Sequence, residues 1–313
     1  MESLQTIKSR RRAVQNIGQI TRAMEVVSAT KMRRAQELAL ASRAYAFLAL
    51  EILGRVSANA PILSPLMAAR PIAATALLLV ASDRGLAGSF NTQVFRKMEE
   101  LLATDEYRTD ADHRFVVIAV GRKAIRYAEK RNWNIVARFE GFGDYADTEE
   151  ITPLADLLVQ GFVDGSWDRV MTISTHFRTT LRQDPLARQI LPTDMAKIRE
   201  TVDEIVPEHG RFAELGKSPE AGGRNAEPIE FIFEPSPAEA LAALVPHLIR
   251  MQIYDLVLEA NASEHSARRV AMKNASDNAD DISGKLLIEF NKARQAAITK
   301  ELIEITSTQS ALA

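Results

Sequence analysis

All twelve prolines of this 313-residue chain fall between Pro61 and Pro246, and eleven of its fourteen glycines lie in the same stretch. Proline removes a backbone donor and clashes with the preceding turn, and glycine costs conformational entropy, so both break long helices. The first sixty residues and the last sixty-seven contain no proline. The chain therefore reads as two breaker-poor arms around a turn-bearing centre.

The N-terminal arm carries apolar residues at alternating threes and fours: Ile17, Ile20, Met24, Val27, then Leu38, Ala41, Tyr45, Leu48 and Ile52. That alternation predicts a coiled-coil stripe, with Lys31 and Arg34 extending the register across the gap. Only Gly18 and Gly54 interrupt it. A helix from Leu4 to Val56 would run roughly 80 Å and needs a partner along its length.

The C-terminal arm supplies that partner. Ser236, Pro237 and Glu239 form a helix-start signature. Pro246 is expected to bend or restart the helix. Beyond it the pattern continues to about Thr306 with only Gly284 as a breaker. Its predicted stripe is Ala260, Ala267, Ala271, Ala275, Ala279, Ile282, Leu286, Ala293 and Ala297. Small side chains let two backbones approach closely while burying little apolar area each.

The centre alternates strand and helix patterns. Strands are predicted at 76–80, 115–120, 135–139 and 170–174, with helices at 91–102, 122–131 and 152–163. Continuous apolar strands between amphipathic helices imply a parallel sheet covered on both faces. Residues 193–228 read as a flexible loop and 229–234 as a last extended piece. The resulting division is 1–58 (N-terminal coiled-coil helix), 72–235 (central α/β domain) and 236–313 (C-terminal coiled-coil helix).

Composition narrows the chemistry. There is no cysteine, so disulfides and thiolate sites are excluded. The five histidines show no metal or triad spacing, and no metal or cofactor is expected. No apolar run reaches the ~18–20 residues of a membrane helix, and the N-terminus carries no secretory-signal pattern. Residues 1–58 hold ten Lys/Arg against four Asp/Glu, although the whole chain is at −2. Such an arm suits nucleic acid, anionic lipid or an acidic protein, and is equally a plain solvated helix face.

Two segments stand out. The loop Ser82–Ser89 joins a strand to a helix, where α/β folds bind phosphates. It lacks the lysine and the triple-glycine spacing of nucleotide loops, so a tight turn with Asp83 and Arg84 as a surface contact is the plainer reading. The segment 291–301 is denser in hydrogen-bonding groups than a rod needs, and a polar surface face is its bland alternative. Paired carboxylates such as Glu149–Glu150 and Asp280–Asp281 point apart on a helix, which makes them poor acid/base pairs.

Three separated blocks then resemble one family, the γ subunits of F-type ATP synthases. They are Ile17–Gln36, Ser82–Asn91, and Glu264–Asn278 followed by Phe290–Thr299. The resemblance implies an antiparallel two-helix coiled coil with a central Rossmann-like α/β domain. It also implies a non-catalytic rotating shaft, one copy per complex, that couples ion flow through a membrane c-ring to ATP chemistry in a hexamer of α and β subunits. The foot would meet the c-ring and the ε subunit at the cytoplasmic face of a bacterial membrane, with no nucleic acid involved. By position, Met24, Arg33, Arg34, Asp83, Arg84, Arg294, Gln295, Thr299 and Glu304 are expected to serve contact with β or coupling. Phe231 and Glu234 are expected at the foot. Ala87 and Phe231 stand where the family often has Cys and Tyr, so thiol chemistry and one hydroxyl contact are not carried over. The competing readings are a nucleotide-dependent α/β enzyme with helical extensions and a basic coiled-coil scaffold.

Overall fold

The computed structural model describes residues 3–59, 64–104, 114–142, 146–193 and 237–312. Within the helices, side chains over 42–59 and near the two ends of the last helix are outside the described set, so Tyr45, Leu48 and Ile52 receive no placement. Phe231, Glu234, the extended piece 229–234 and the loop 194–228 also lie outside it.

The first helix, α1, spans Leu4–Asn59. Ser3 caps it: its hydroxyl accepts from the Thr6 amide at 3.2 Å. After a 3₁₀ turn at Pro65–Met67 come β1 (Ala74–Val80), α2 (Phe90–Leu102), β2 (Arg114–Val120), α3 (Arg122–Lys130), β3 (Ile135–Phe139), α4 (Thr148–Val163), β4 (Arg169–Phe177) and β5 (Gln183–Leu191). The last helix, α5, spans Pro237–Leu312 and contains Pro246, so the predicted restart there does not occur.

The chain divides into two compact units, Met1–Ser28 with Arg268–Ala313, and Ala29–Ala267. In the larger unit the strand order is β3-β2-β1-β4-β5. The first four strands are parallel, but β5 returns antiparallel to β4. The expected all-parallel sheet is therefore a mixed one. The periodicity search missed β5 because Gln183–Leu191 reads QDPLARQIL, an edge strand whose residues are mostly half-buried. Its Pro185 sits at the edge, where a missing donor does no harm.

The central strands are apolar throughout because both faces are covered. Ala76, Leu78 and Val80 face a core shared with α4 and the 245–260 stretch of α5. Leu77 and Leu79 face a second core with Val94 and Met98 of α2 and Ala124, Ile125 and Ala128 of α3. The β2-to-α3 turn depends on Gly121 (φ +90°): a Cβ there would lie 2.0 Å from the Ala81 carbonyl oxygen. Asp147 caps α4 by accepting from the Thr148 amide at 2.7 Å. Glu149 and Glu150 sit in that helix's first turn, where carboxylates complement the helix dipole.

In the smaller unit the two helices pair antiparallel, with Gly18 beside Ala279 and Thr21 beside Ser276. The register differs from the predicted one. Along the described part of α1 the buried positions are Ile7, Gly18, Thr21 and Ser28, then Met32, Ala35 and Ala39 in the larger unit. Ile17 and Ile20 are 54% and 59% exposed, and Val27 also faces outward. On α5, Met272, Ser276, Ala279 and Leu286 are buried, whereas Ile282 is exposed. Both seams keep the 3–4 alternation, but α1 is turned by one residue. Close approach favours glycine and small hydroxyl residues between the backbones over the larger apolar ones.

Candidate functional site

The β1–α2 loop is built from inside. Asp83 Oδ1 accepts from the Arg122 amide at 2.9 Å, and Oδ2 accepts from the Gly141 amide at 3.0 Å. The carboxylate thus ties together the turns that follow β1, β2 and β3. Ser82 Oγ donates to the Arg84 carbonyl at 2.6 Å, and the Ser82 amide donates to Asn91 Oδ1 at 3.0 Å. Leu86 takes a left-handed conformation (φ 65°) and Gly88 follows at φ 56°. Non-glycine residues adopt that region at a steric cost that the surrounding bonds must hold. What emerges outward is Arg84, exposed, and Leu86, 62% exposed. Of the two residues proposed as contacts in this loop, Asp83 spends its carboxylate on the fold and Arg84 is displayed.

A second projection lies at the same end of the sheet. The β4–β5 hairpin turns through Arg178–Arg182. The Thr179 and Arg182 amides and carbonyls bond each other at 3.0 and 3.2 Å. Gln183 Nε2 donates to the Thr179 and Thr180 carbonyls, each at 3.1 Å. Ser266 Oγ on α5 donates to the Thr180 carbonyl at 2.7 Å. Arg178 and Arg182 both bind Asp184, at 2.7 and 3.2 Å. Burial pushes the Asp184 carboxyl upward, but the two arginines outweigh it and hold its pKa below the ordinary value. Leu181, at the tip, is 82% exposed. The sequence reading did not find it, because a lone leucine between polar turn residues carries no periodicity.

The remaining predicted residues are placed as follows. Met24 is half-buried on α1, and its carbonyl accepts from Ser28 Oγ at 2.7 Å. Arg33 is exposed, and exposed Arg34 lies 3.5 Å from Glu37. Arg294, Gln295, Thr299 and Glu304 are all exposed on α5. Thr299 Oγ1 donates to the Gln295 carbonyl at 2.9 Å, and Glu304 lies 3.7 Å from Lys300. At about 100° per residue, Gln295 and Thr299 share one face of the helix, while Glu304 turns toward another. The seam of the helix pair is crossed by the Thr21–Ser276 hydroxyl bond at 2.7 Å. Arg22 and Asp280 pair on its rim. Beside this narrow seam Ile17, Ile20 and Val27 on α1 and Ile282 and Ile288 on α5 face out, and Ile298, Leu302 and Ile305 are exposed farther along α5.

His176 is buried and paired with Glu259, which Arg188 approaches at 3.5 Å, so it is a satisfied core histidine. A cavity of about 20 Å³ beside this pair, lined by Thr172, Arg188, Gln252 and Asp255 among others, has room for about one water. Among the described residues no cluster of three or more His, Asp or Glu is arranged to hold a metal ion. No helix among them is long and apolar enough to cross a membrane.

Comparison with known proteins adds to this geometry. A family model described as ATP synthase matches residues 3–312. The ATP synthase gamma chain of Roseiflexus castenholzii is 38% identical, covering 100% of this chain and 99% of the relative. That of Opitutus terrae is 35% identical over the full length of both. Among solved structures, a chain of the Euglena gracilis mitochondrial ATP synthase (OSCP/F1/c-ring, rotational state 3) is similar at a TM-score of 0.62 and 16% identity. It covers 99% of this chain and 94% of its own. A chain of the Tetrahymena thermophila mitochondrial ATP synthase central stalk and c-ring reaches 0.56 at 20% identity, over 82% and 99%.

Proposed function

This chain belongs to the ATP synthase gamma-chain family, and on that premise we propose that it works as the non-catalytic rotating shaft of a rotary ATP synthase. The observation that carries the shaft reading is the inverted helix pair. Its seam is made mainly of small and hydroxyl residues, with Ile7, Met272 and Leu286 the larger side chains it buries, and most of its large apolar residues point outward. A helix pair that exposes a longer apolar stripe than it buries is built to be surrounded. A hexamer of α and β subunits is the sheath that suits it.

In this mechanism α1 and α5 transmit rotation, and 72–235 forms the foot that meets the c-ring and ε. Residues 1–58 and 236–313 form the shaft. Arg294, Gln295, Thr299 and Glu304 line the part that β grips, with arginine and glutamine able to bond backbone carbonyls or carboxylates. Met24, Arg33, Arg34 and the displayed Arg84 meet the acidic lever of β, with Asp83 holding Arg84's loop in place. Phe231 and Glu234 serve the foot. One copy acts per complex, peripheral to the membrane on its cytoplasmic side. The exposed apolar stripe supports this reading over a self-contained nucleotide enzyme. The overall charge of −2 counts against a nucleic-acid scaffold.

The test is reconstitution. Adding the chain to α and β subunits of the same source is expected to restore vigorous ATP hydrolysis, and no stimulation sinks the proposal.

A further inference from the structure

The face of the sheet under α5 is not uniformly apolar. Val170 joins the core shared with α4 and α5. Thr172 and His176 lie on the same side of β4, at the two-residue spacing of a strand, and meet polar residues instead. β5 sets Arg188 opposite Thr172. From α5 come Gln252, Asp255 and Glu259, spaced by three and four along one helical face. All of these residues belong to the unit Ala29–Ala267. Thr172, Arg188, Gln252, Asp255 and Glu259 line the cavity of about 20 Å³ beside the His176–Glu259 pair.

The Thr172 hydroxyl sets what this cavity needs. Thr172 is fully buried, and its Oγ1 has no hydrogen-bond partner among the described residues. A hydroxyl can donate once and accept twice, and burying it unmet is costly. The rest of the lining restricts what can answer it. A bare cation would sit against the Arg188 guanidinium, and an anion against the carboxylates of Asp255 and Glu259. A neutral group that both donates and accepts suits all of them. The volume exceeds the roughly 10–15 Å³ that one water needs and is too small for an organic molecule.

We infer that one internal water occupies this cavity as a structural part of the fold, bonded to Thr172 Oγ1 and bridging it to Arg188 on β5 and to the polar face of α5. It ties β4, β5 and α5 by directional bonds, where apolar packing alone would tolerate sliding, and so holds α5 in register on the sheet. The bridge is independent of the shaft role.

A structure of the chain in its assembled complex, at a resolution that shows ordered water, tests it directly. Density for one water within hydrogen-bond distance of Thr172 Oγ1 is expected. An empty cavity, one closed by neighbouring side chains, or an ion coordinated there overturns the proposal. Two substitutions on β4 test it in solution. Thr175 is also buried and its Oγ1 also has no partner among the described residues, but it does not line the cavity. Thr172→Val removes the anchor of the water, so the folding equilibrium constant of the full chain should fall about three- to tenfold, the worth of a net hydrogen bond. Thr175→Val only deletes an unmet hydroxyl and should raise that constant or leave it unchanged. Amides of 252–259 should exchange faster in Thr172→Val than in the parent. A rise for Thr172→Val, or equal falls for both threonines, overturns the water. Unchanged exchange over 252–259 overturns its hold on α5. Should Thr172→Val fail to fold, the density in the parent complex decides.

Discussion

Asp83 and Arg84 are adjacent in sequence and opposite in task. The Asp83 carboxylate accepts two backbone amides from separate turns. Asp83→Ala would leave those donors without it and is expected to cost about 1–3 kcal/mol in chemical denaturation of the isolated chain. Arg84→Ala should change that stability by less than about 0.5 kcal/mol while lowering hydrolysis by the reconstituted complex. Equal destabilisation by the two substitutions would show that the loop is not organised this way. Asp184 makes the same point through pH. Its folded pKa is depressed by Arg182 and Arg178 against the opposing effect of burial. Its contribution is therefore complete above the unfolded-state value of about 3.9 and is lost as pH falls through the lower folded value. Hydrogen exchange of the hairpin amides should accelerate across that acid window in the parent. In Asp184→Asn the acceleration should disappear.

At the scale of the element, the helix pair is the instructive case. The 3–4 alternation of Ile17, Ile20, Met24 and Val27 is real, but Ile17, Ile20 and Val27 face outward and Met24 is only half-buried. The seam one residue away holds Gly18, Thr21 and Ser28. A Cβ at Gly18 would lie 3.3 Å from Ala279 Cβ, so Gly18→Ala asks a small shift and Gly18→Leu forces the backbones apart. The joint substitution Ile17→Ser, Ile20→Ser is expected to leave the thermal midpoint of the isolated chain nearly unchanged and to impair assembly with α and β. A large loss of stability would restore the isoleucines to the seam. Helix existence was readable because proline and glycine are absent over long spans and hydrophobic residues recur at helical spacing. The facing was not readable, since two interleaved stripes fit the same spacing and only the distance between backbones chooses one.

At the scale of the whole molecule, the two units differ in how they are held. The unit Ala29–Ala267 has a sheet with fully buried leucines on both faces. The unit Met1–Ser28 with Arg268–Ala313 buries mainly glycine, alanine, hydroxyl residues and a few larger side chains. Hydrophobic stabilisation scales with apolar area removed from water, so the second unit has far less of it per residue. In the isolated chain, amides of 4–28 and 268–305 should exchange faster than those of β1, β2 and β4. Adding α and β should slow them markedly, as expected if the outward stripe is covered. Slow exchange in the isolated chain would mean that the pair needs no sheath.

Sequence alone determined the family and, apart from β5 and the continuity of the last helix through Pro246, the element plan. Breaker placement sets where long helices can run, apolar runs between amphipathic helices demand a covered sheet, and three ordered blocks carry the resemblance. Tertiary structure decided what each surface does. The turned register of α1, the antiparallel β5, the internal use of Asp83 and the display of Leu181 all depend on which backbones come close and which donors need acceptors. Those are relations between residues far apart in the chain, and a one-dimensional pattern does not contain them.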